Sequence, residues 1–212
     1  MRLDHPVSNT VLLTFGTPLL RRVWPNSASV NDGICRLALA REREGAGIVL
    51  SNVGGWHSHP DFLDAPDPAV QTLRQWIRDA VLEVTQIVYG DKKPNMTVAL
   101  EGVGWVNVVR RGAFHKMHNH PGATWSGVYY AATGSDDAGA PSESGVIEFL
   151  DPRMAPALTP LPGPPTSPTL GIQPLPGLML VFPGWLYHAV NQYTGDGVRI
   201  SVAFNANFRP RS

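Results

Sequence analysis

From Met96 onward the 212-residue chain is a succession of short extended segments separated by turn formers, and no helical periodicity returns. Val98 and Leu100, then Trp105, Asn107 and Val109, alternate with their neighbours as the residues of a half-buried strand do. Further strands are expected at residues 123–131, 145–150, 178–182 and 197–205. A late run of strands joined by turns favours an antiparallel barrel or jelly-roll. The fold expected is therefore mainly β, with helices packed on one sheet.

Those helices are written before Met96. Around residues 30–43, Ile34, Leu37, Ala38 and Arg41 fall at helical spacing, and Gly45 stops the pattern. A stronger signal covers residues 67–89. Asp67 suits an N-cap and Pro68 the first helical position, while Val70, Leu73, Ile77, Val81, Val84 and Val88 form one apolar stripe that Gly90 ends. Core packing is the expected use of that stripe.

Residues 152–176 hold nine prolines, Pro152 and Pro176 among them, and so cannot form a central strand. The chain beyond Pro176 is too short to fold alone, so the segment reads as a surface loop within one domain spanning residues 1–212. In that reading a helical buttress covers about 25–92 and a β core about 94–208.

Composition narrows the function. With 17 Lys+Arg against 17 Asp+Glu and no long basic run, the chain shows no sign of a nucleic-acid or membrane-surface partner. Cys35 is the only cysteine, so no internal disulfide forms. The apolar residues 11–15 are interrupted by Gly16 and Pro18 and read as an early strand, not a leader. No apolar run is long enough to span a bilayer, and a cytoplasmic location is expected.

Three elements carry potential chemistry. The segment FHKMHNHPG places His118 and His120 on one face of an extended strand, with Asn119 opposite, and two imidazoles so placed can grip one transition metal. A third histidine, His188, comes after a buried apolar strand and a turn, about seventy positions later. It joins the pair only if its strand neighbours theirs. Third, Val198, Ile200, Val202 and Phe204 define one face of the last strand and Arg199, Ser201, Ala203 and Asn205 the other. An inward-facing arginine needs an anionic partner, and a ligand carboxylate fits its fork. Each element alone has a plainer reading, such as a surface histidine or an arginine on a wet sheet face.

Their order, His-x-His, a distal His, then Arg-x-Ser, resembles the Fe(II)/2-oxoglutarate-dependent dioxygenases, and more narrowly a bacterial and phage branch of them. The stretches SNVGGWHS (51–58), HNHPGATWSGVYY (118–130), GVIEFLDPR (145–153) and PGLMLVFPGWLYHAVNQYTGDGVRISVAFN (176–205) carry the resemblance. It implies a double-stranded β-helix, Fe(II) as the metal, 2-oxoglutarate as cosubstrate and dioxygen as co-reactant. The substrate itself, a small molecule or a protein, is left open. By matching positions His118 and His188 are metal ligands, Arg199 and Ser201 hold the distal carboxylate of 2-oxoglutarate, and Asn107 and Tyr129 touch the same molecule. Where the superfamily usually has Asp or Glu, this chain has His120. Either His120 is itself a ligand, or a carboxylate such as Glu148 or Asp151 lies nearer the metal, or the site has lost oxygenase chemistry. Direct ligation is the favoured expectation. Trp56, Trp105, Trp125, Trp185 and Tyr187 are candidates for the substrate pocket, and His57 and His115 are expected at the surface. The competing readings are a cupin-like metal-binding protein, a three-histidine dioxygenase that does not use 2-oxoglutarate, and a metal-free interaction module.

Overall fold

Twelve short strands and two helices account for the regular structure of the computed structural model, which describes residues 16–90, 96–99, 103–135, 143–153 and 168–210. The expected strand at residues 11–15 lies outside them. Strands β1 (Leu20–Val23), β10 (Leu178–Pro183), β7 (Trp125–Ser135), β12 (Asp196–Pro210), β5 (Gly104–Val109) and β3 (Trp56–His57) lie side by side in that order, and β4 (Met96–Ala99) also pairs with β12. The second sheet runs β2 (Asn52–Val53), β6 (Phe114–His118), β11 (His188–Val190), β8 (Ile147–Leu150) and β9 (Thr169–Ile172). Every pairing between these strands is antiparallel. Two antiparallel sheets facing each other make the jelly-roll that the strand run implied.

The helices cover the outer face of the larger sheet. α1 (Ala28–Glu44) and α2 (Pro68–Tyr89) match the expected segments within a few residues. Asp67 caps α2 through a 2.8 Å hydrogen bond accepted from the backbone N–H of Ala69. The apolar stripe is buried from Val70 to Val84, but Val88, in the last turn of the helix, is exposed. Val106, Val108, Tyr129, Ile200, Val202 and Phe204 point from the sheet into the core these helices share. Tyr129 donates a 2.5 Å hydrogen bond to Asn31 Oδ1, and Trp125 Nε1 donates to Thr85 Oγ1 at 3.0 Å, tying β7 to both helices.

The proline-rich segment departs from expectation in one respect. Within it, residues 169–172 form β9, which pairs with β8. Pro168 and Pro174 flank it, and it lies at the sheet's edge, where the missing N–H groups of proline do no harm. No helix among the described residues is long and apolar enough to cross a membrane.

Candidate metal and cosubstrate site

Between the sheets lies a cavity of about 430 Å³, and five of the seven histidines line it: His57, His115, His118, His120 and His188. The alternation of β12 decides its floor. Ile200, Val202 and Phe204 enter the helix-side core, so Arg199, Ser201, Ala203 and Asn205 must face the cavity, and all four line it.

The metal end depends on one strand pairing. β11 runs antiparallel to β6 with His188 directly opposite His118, which brings residues seventy positions apart to a ring separation of 4.3 Å. His120 arrives differently from the expectation of a continuous strand. β6 ends at His118, and residues 119–122 turn. The backbone N–H of His120 donates to Gly184 O at 2.8 Å, so the turn before β11 holds the turn after β6. A Cβ at Gly184 would run into the carbonyl of Ala123, which is why the approach requires glycine. One nitrogen from each of His118, His120 and His188 lies within 4.8 Å of the other two. Ligands about 2.1 Å from a common ion sit about 3 Å apart, so small rotamer adjustments close this set on a metal.

Two of the three rings are oriented by the backbone. His118 Nδ1 lies 2.7 Å from Lys116 O and His188 Nδ1 lies 3.0 Å from Leu186 O. A carbonyl only accepts, so each Nδ1 carries the proton and each Nε2 keeps its lone pair for a metal. Burial favours the neutral imidazole throughout. It pulls His188 down to about 3 and His120 to about 4, with His118 repelling each, and it lowers His118 against the pull of the Lys116 carbonyl. Neutral imidazole is the form that binds metals.

No carboxylate joins the group among the described residues. Glu148 sits opposite Ala189 and Gly171, on the face away from Ile147 and Phe149, and does not line the cavity. Asp151 is taken by Arg153, whose guanidinium holds its carboxyl down at about 2.

Arg199 defines the other end. It is 2% exposed, donates one hydrogen bond of 3.3 Å to Gly145 O, and has no partner for Nε. Its guanidinium carbon lies 5.1 Å from the centre of the Tyr130 ring. Burial lowers its pKa, opposed by Tyr130 and Tyr193, yet arginine stays protonated. Across three strands on this face, Ser201 stands between Asn107 on β5 and Tyr130 on β7. Asn107 Oδ1, Asn205 Oδ1 and the Tyr130 hydroxyl are buried without hydrogen-bond partners. Native interiors rarely leave so many polar atoms unpaired in one place unless a ligand completes them.

Residues 104–205 match the family described as "Putative 2OG-Fe(II) oxygenase", a span holding the three histidines, Arg199 and Ser201. Over that span, just under half of its length, the chain is similar to the 2OG-Fe(II) oxygenases. Solved structures agree on the fold. A prolyl-4-hydroxylase from Pseudomonas putida aligns with a TM-score of 0.58 at 15% identity, over 92% of this chain and 94% of its own. HygX from Streptomyces hygroscopicus, solved with nickel and 2-oxoglutarate bound, aligns with a TM-score of 0.54 at 14% identity, over 92% and 83%. A Trichoplax adhaerens prolyl hydroxylase, solved with a peptide fragment of a hypoxia inducible factor, gives a TM-score of 0.58 at 11% identity, over 89% and 82%. Among curated proteins none matches significantly.

The structure departs from the sequence-based reading at several positions. Tyr129, expected against the cosubstrate, sits opposite Val202 and faces the helices, whereas Tyr130 sits opposite Ser201 and lines the cavity. His57 and His115 are not surface residues but 3% and 8% exposed, both in the cavity wall. His57 Nδ1 lies 2.6 Å from Ser58 O, and His115 is pushed down to about 3 by burial and by Arg199. Of the five aromatic candidates for the pocket, Trp105 alone lines it. Trp125 is core, Trp56 Nε1 donates to Gly45 O at 2.8 Å, and Trp185 and Tyr187 are about half exposed.

Proposed function

We propose that this protein is an Fe(II)- and 2-oxoglutarate-dependent oxygenase with a three-histidine metal site, His118, His120 and His188. The observation that carries the reading is the buried guanidinium of Arg199, with no anionic partner among the described residues, in the same cavity as that cluster. A buried cation without an anion is costly, and the distal carboxylate of 2-oxoglutarate supplies the anion. Ser201 and Asn107 would add hydrogen bonds from the two strands beside it. The metal with its cosubstrate supplies the oxidising chemistry when bound, as in the rest of the superfamily.

The chain's own groups have three tasks. The three imidazoles stay neutral at physiological pH and present lone pairs inward. Arg199 fixes one end of the cosubstrate and thereby the direction of its other end. The remaining wall, including Ile48, Leu50, Pro60, Trp105 and Pro121, carries no charge, and Leu50, Pro60 and Pro121 form its exposed mouth. That wall suits an uncharged, largely apolar group at the point of reaction.

The test is anaerobic addition of Fe(II) and then 2-oxoglutarate to the metal-free protein, watching for the weak visible charge-transfer band of chelated 2-oxoglutarate. The band is expected in the wild type and lost in His188→Ala and Arg199→Ala. Iron binding with no band would refute the cosubstrate assignment and leave a three-histidine centre of another kind. Failure to bind iron would refute the oxygenase itself.

A further inference from the structure

His118 and His188 have backbone carbonyls to orient them, but neither ring nitrogen of His120 hydrogen-bonds to any described residue. Its ring is instead set by aromatic contacts: it stacks with His188 at 5.2 Å and 15°, meets His118 edge-on at 5.2 Å and 67°, and has Trp105 tilted against it. Trp105 packs on it with centroids 5.6 Å apart and planes inclined by 31°, and His57 stacks behind Trp105 at 5.4 Å and 12°. His57 is itself fixed by its 2.6 Å contact with Ser58 O. The column His57–Trp105–His120 therefore runs from a rigid, buried base to the metal cluster. Strand pairing builds it. His57 lies opposite Asn107, one cross-strand diagonal from Trp105, and Trp105 lies opposite Ala203, whose small side chain leaves the indole room to lie across the cavity wall.

Resting on the three-histidine reading, we propose that Trp105 is a positioning residue that sets the plane of the His120 ring and so the geometry of the third metal ligand. An imidazole without a hydrogen-bonded partner loses rotamer freedom on binding a metal. An indole packed at a tilt against the ring, on a side the other two histidines do not supply with a hydrogen bond, restricts that freedom beforehand. In most metal sites a carboxylate or carbonyl does this for each histidine; here an aromatic face does it for one of three.

The test uses Co(II) as the probe, added to the metal-free full chain, with dissociation constants and d–d absorption recorded. Loss of one aromatic contact corresponds to a roughly two- to tenfold change in affinity. Trp105→Leu should weaken Co(II) by about that factor and shift its d–d bands toward those of His120→Ala, while Trp105→Phe should restore both. In a His120→Ala background, Trp105→Leu should have no further effect. Equal weakening in both backgrounds, or no weakening in the wild-type background, would overturn the assignment while leaving the three-histidine site standing. If His120→Ala itself leaves Co(II) binding and spectrum unchanged, the three-histidine site falls and the role of Trp105 falls with it.

Discussion

Arg199→Met should make the metal-free protein more stable and at the same time destroy its response to 2-oxoglutarate. The guanidinium is 2% exposed and no ion pair reaches it among the described residues. Taking a cation out of water costs several kcal/mol even after relaxation. Two contacts offset this. The cation–π contact with Tyr130, 5.1 Å from ring centre, returns about 2 kcal/mol, and the long hydrogen bond to Gly145 O returns about 1.5 kcal/mol, the low end for a charged donor. Methionine has no charge to desolvate, fills much of the same volume and adapts its shape. The net expectation is a gain of about 1–2 kcal/mol, which in a chain of this size raises Tm by roughly 2–8 °C.

With metal and cosubstrate the order inverts. Removing one partner of a buried ion pair costs about 3–5 kcal/mol, a loss in 2-oxoglutarate affinity of about two to four orders of magnitude. At 100 times its dissociation constant the ligand stabilises the wild type by about 2.7 kcal/mol and the variant by almost nothing. Thermal melts of both proteins, metal-free and with Co(II) plus 2-oxoglutarate, read all four states. A variant less stable than wild type without ligand, yet stabilised equally by 2-oxoglutarate, would show that Arg199 serves the fold and not the anion.

The same geometry sets three other outcomes. His115, His120 and His188 are held neutral down to about 3, 4 and 3, so the unfolded chain binds more protons than the folded one between those values and the ordinary histidine range. Metal-free stability should therefore fall as pH drops from about 6.5 to about 4, by up to about 1.4 kcal/mol per pH unit for each group; urea titrations at pH 7.5 and 5.5 that coincide would contradict the burial of these rings. Metal and 2-oxoglutarate should bind cooperatively, each raising the affinity of the other by the same factor, and calorimetry in both orders of addition checks the equality. Gly184→Ala should destabilise the fold by about 1–3 kcal/mol and weaken Co(II), because its Cβ drives apart the two turns that bring His120 to His188.

The two faces of the last strand were legible from sequence because they differ in chemistry, although the strand runs on to Pro210, past its expected end at residue 205. Ile200, Val202 and Phe204 against Arg199, Ser201 and Asn205 leave one assignment open once one face is buried. The tyrosine pair was not legible, because neighbouring residues of one type carry no alternation. The register of β7 against β12 decides between Tyr129 and Tyr130, and it shifts between Ile200 and Ser201, where an extra residue, Ala131, enters β7. His57 stands on β3, two residues long and too short for any period to show. His115 stands on β6 where the pairing with β11 is irregular, three residues from His118 to His115 against two from His188 to Val190, so simple alternation did not announce that either would be buried. His120 was placed at the metal for a reason only half right. The His-x-His spacing did bring both rings inward, but through a turn fixed by Gly184 and not through a continuing strand.

The charge in the cavity bears on how a histidine can stand where the resemblance implies a carboxylate. No acidic residue lines the cavity among the described residues, and its five histidines are neutral by burial or by position, which leaves Arg199 as its only fixed charge. A divalent ion on three neutral ligands keeps both its charges, and with Arg199 the enclosed total is three positive units. In a medium that screens poorly, that arrangement is unfavourable until an anion enters. A dianion brings the total to one, whereas a carboxylate at position 120 would already have neutralised part of it. Replacing that carboxylate by His120 transfers the task of neutralisation from the protein to the cosubstrate. The same substitution that weakens the site's intrinsic hold on a cation should therefore strengthen the coupling between cation and cosubstrate, and the three-histidine cluster and the buried Arg199 are two halves of one electrostatic arrangement.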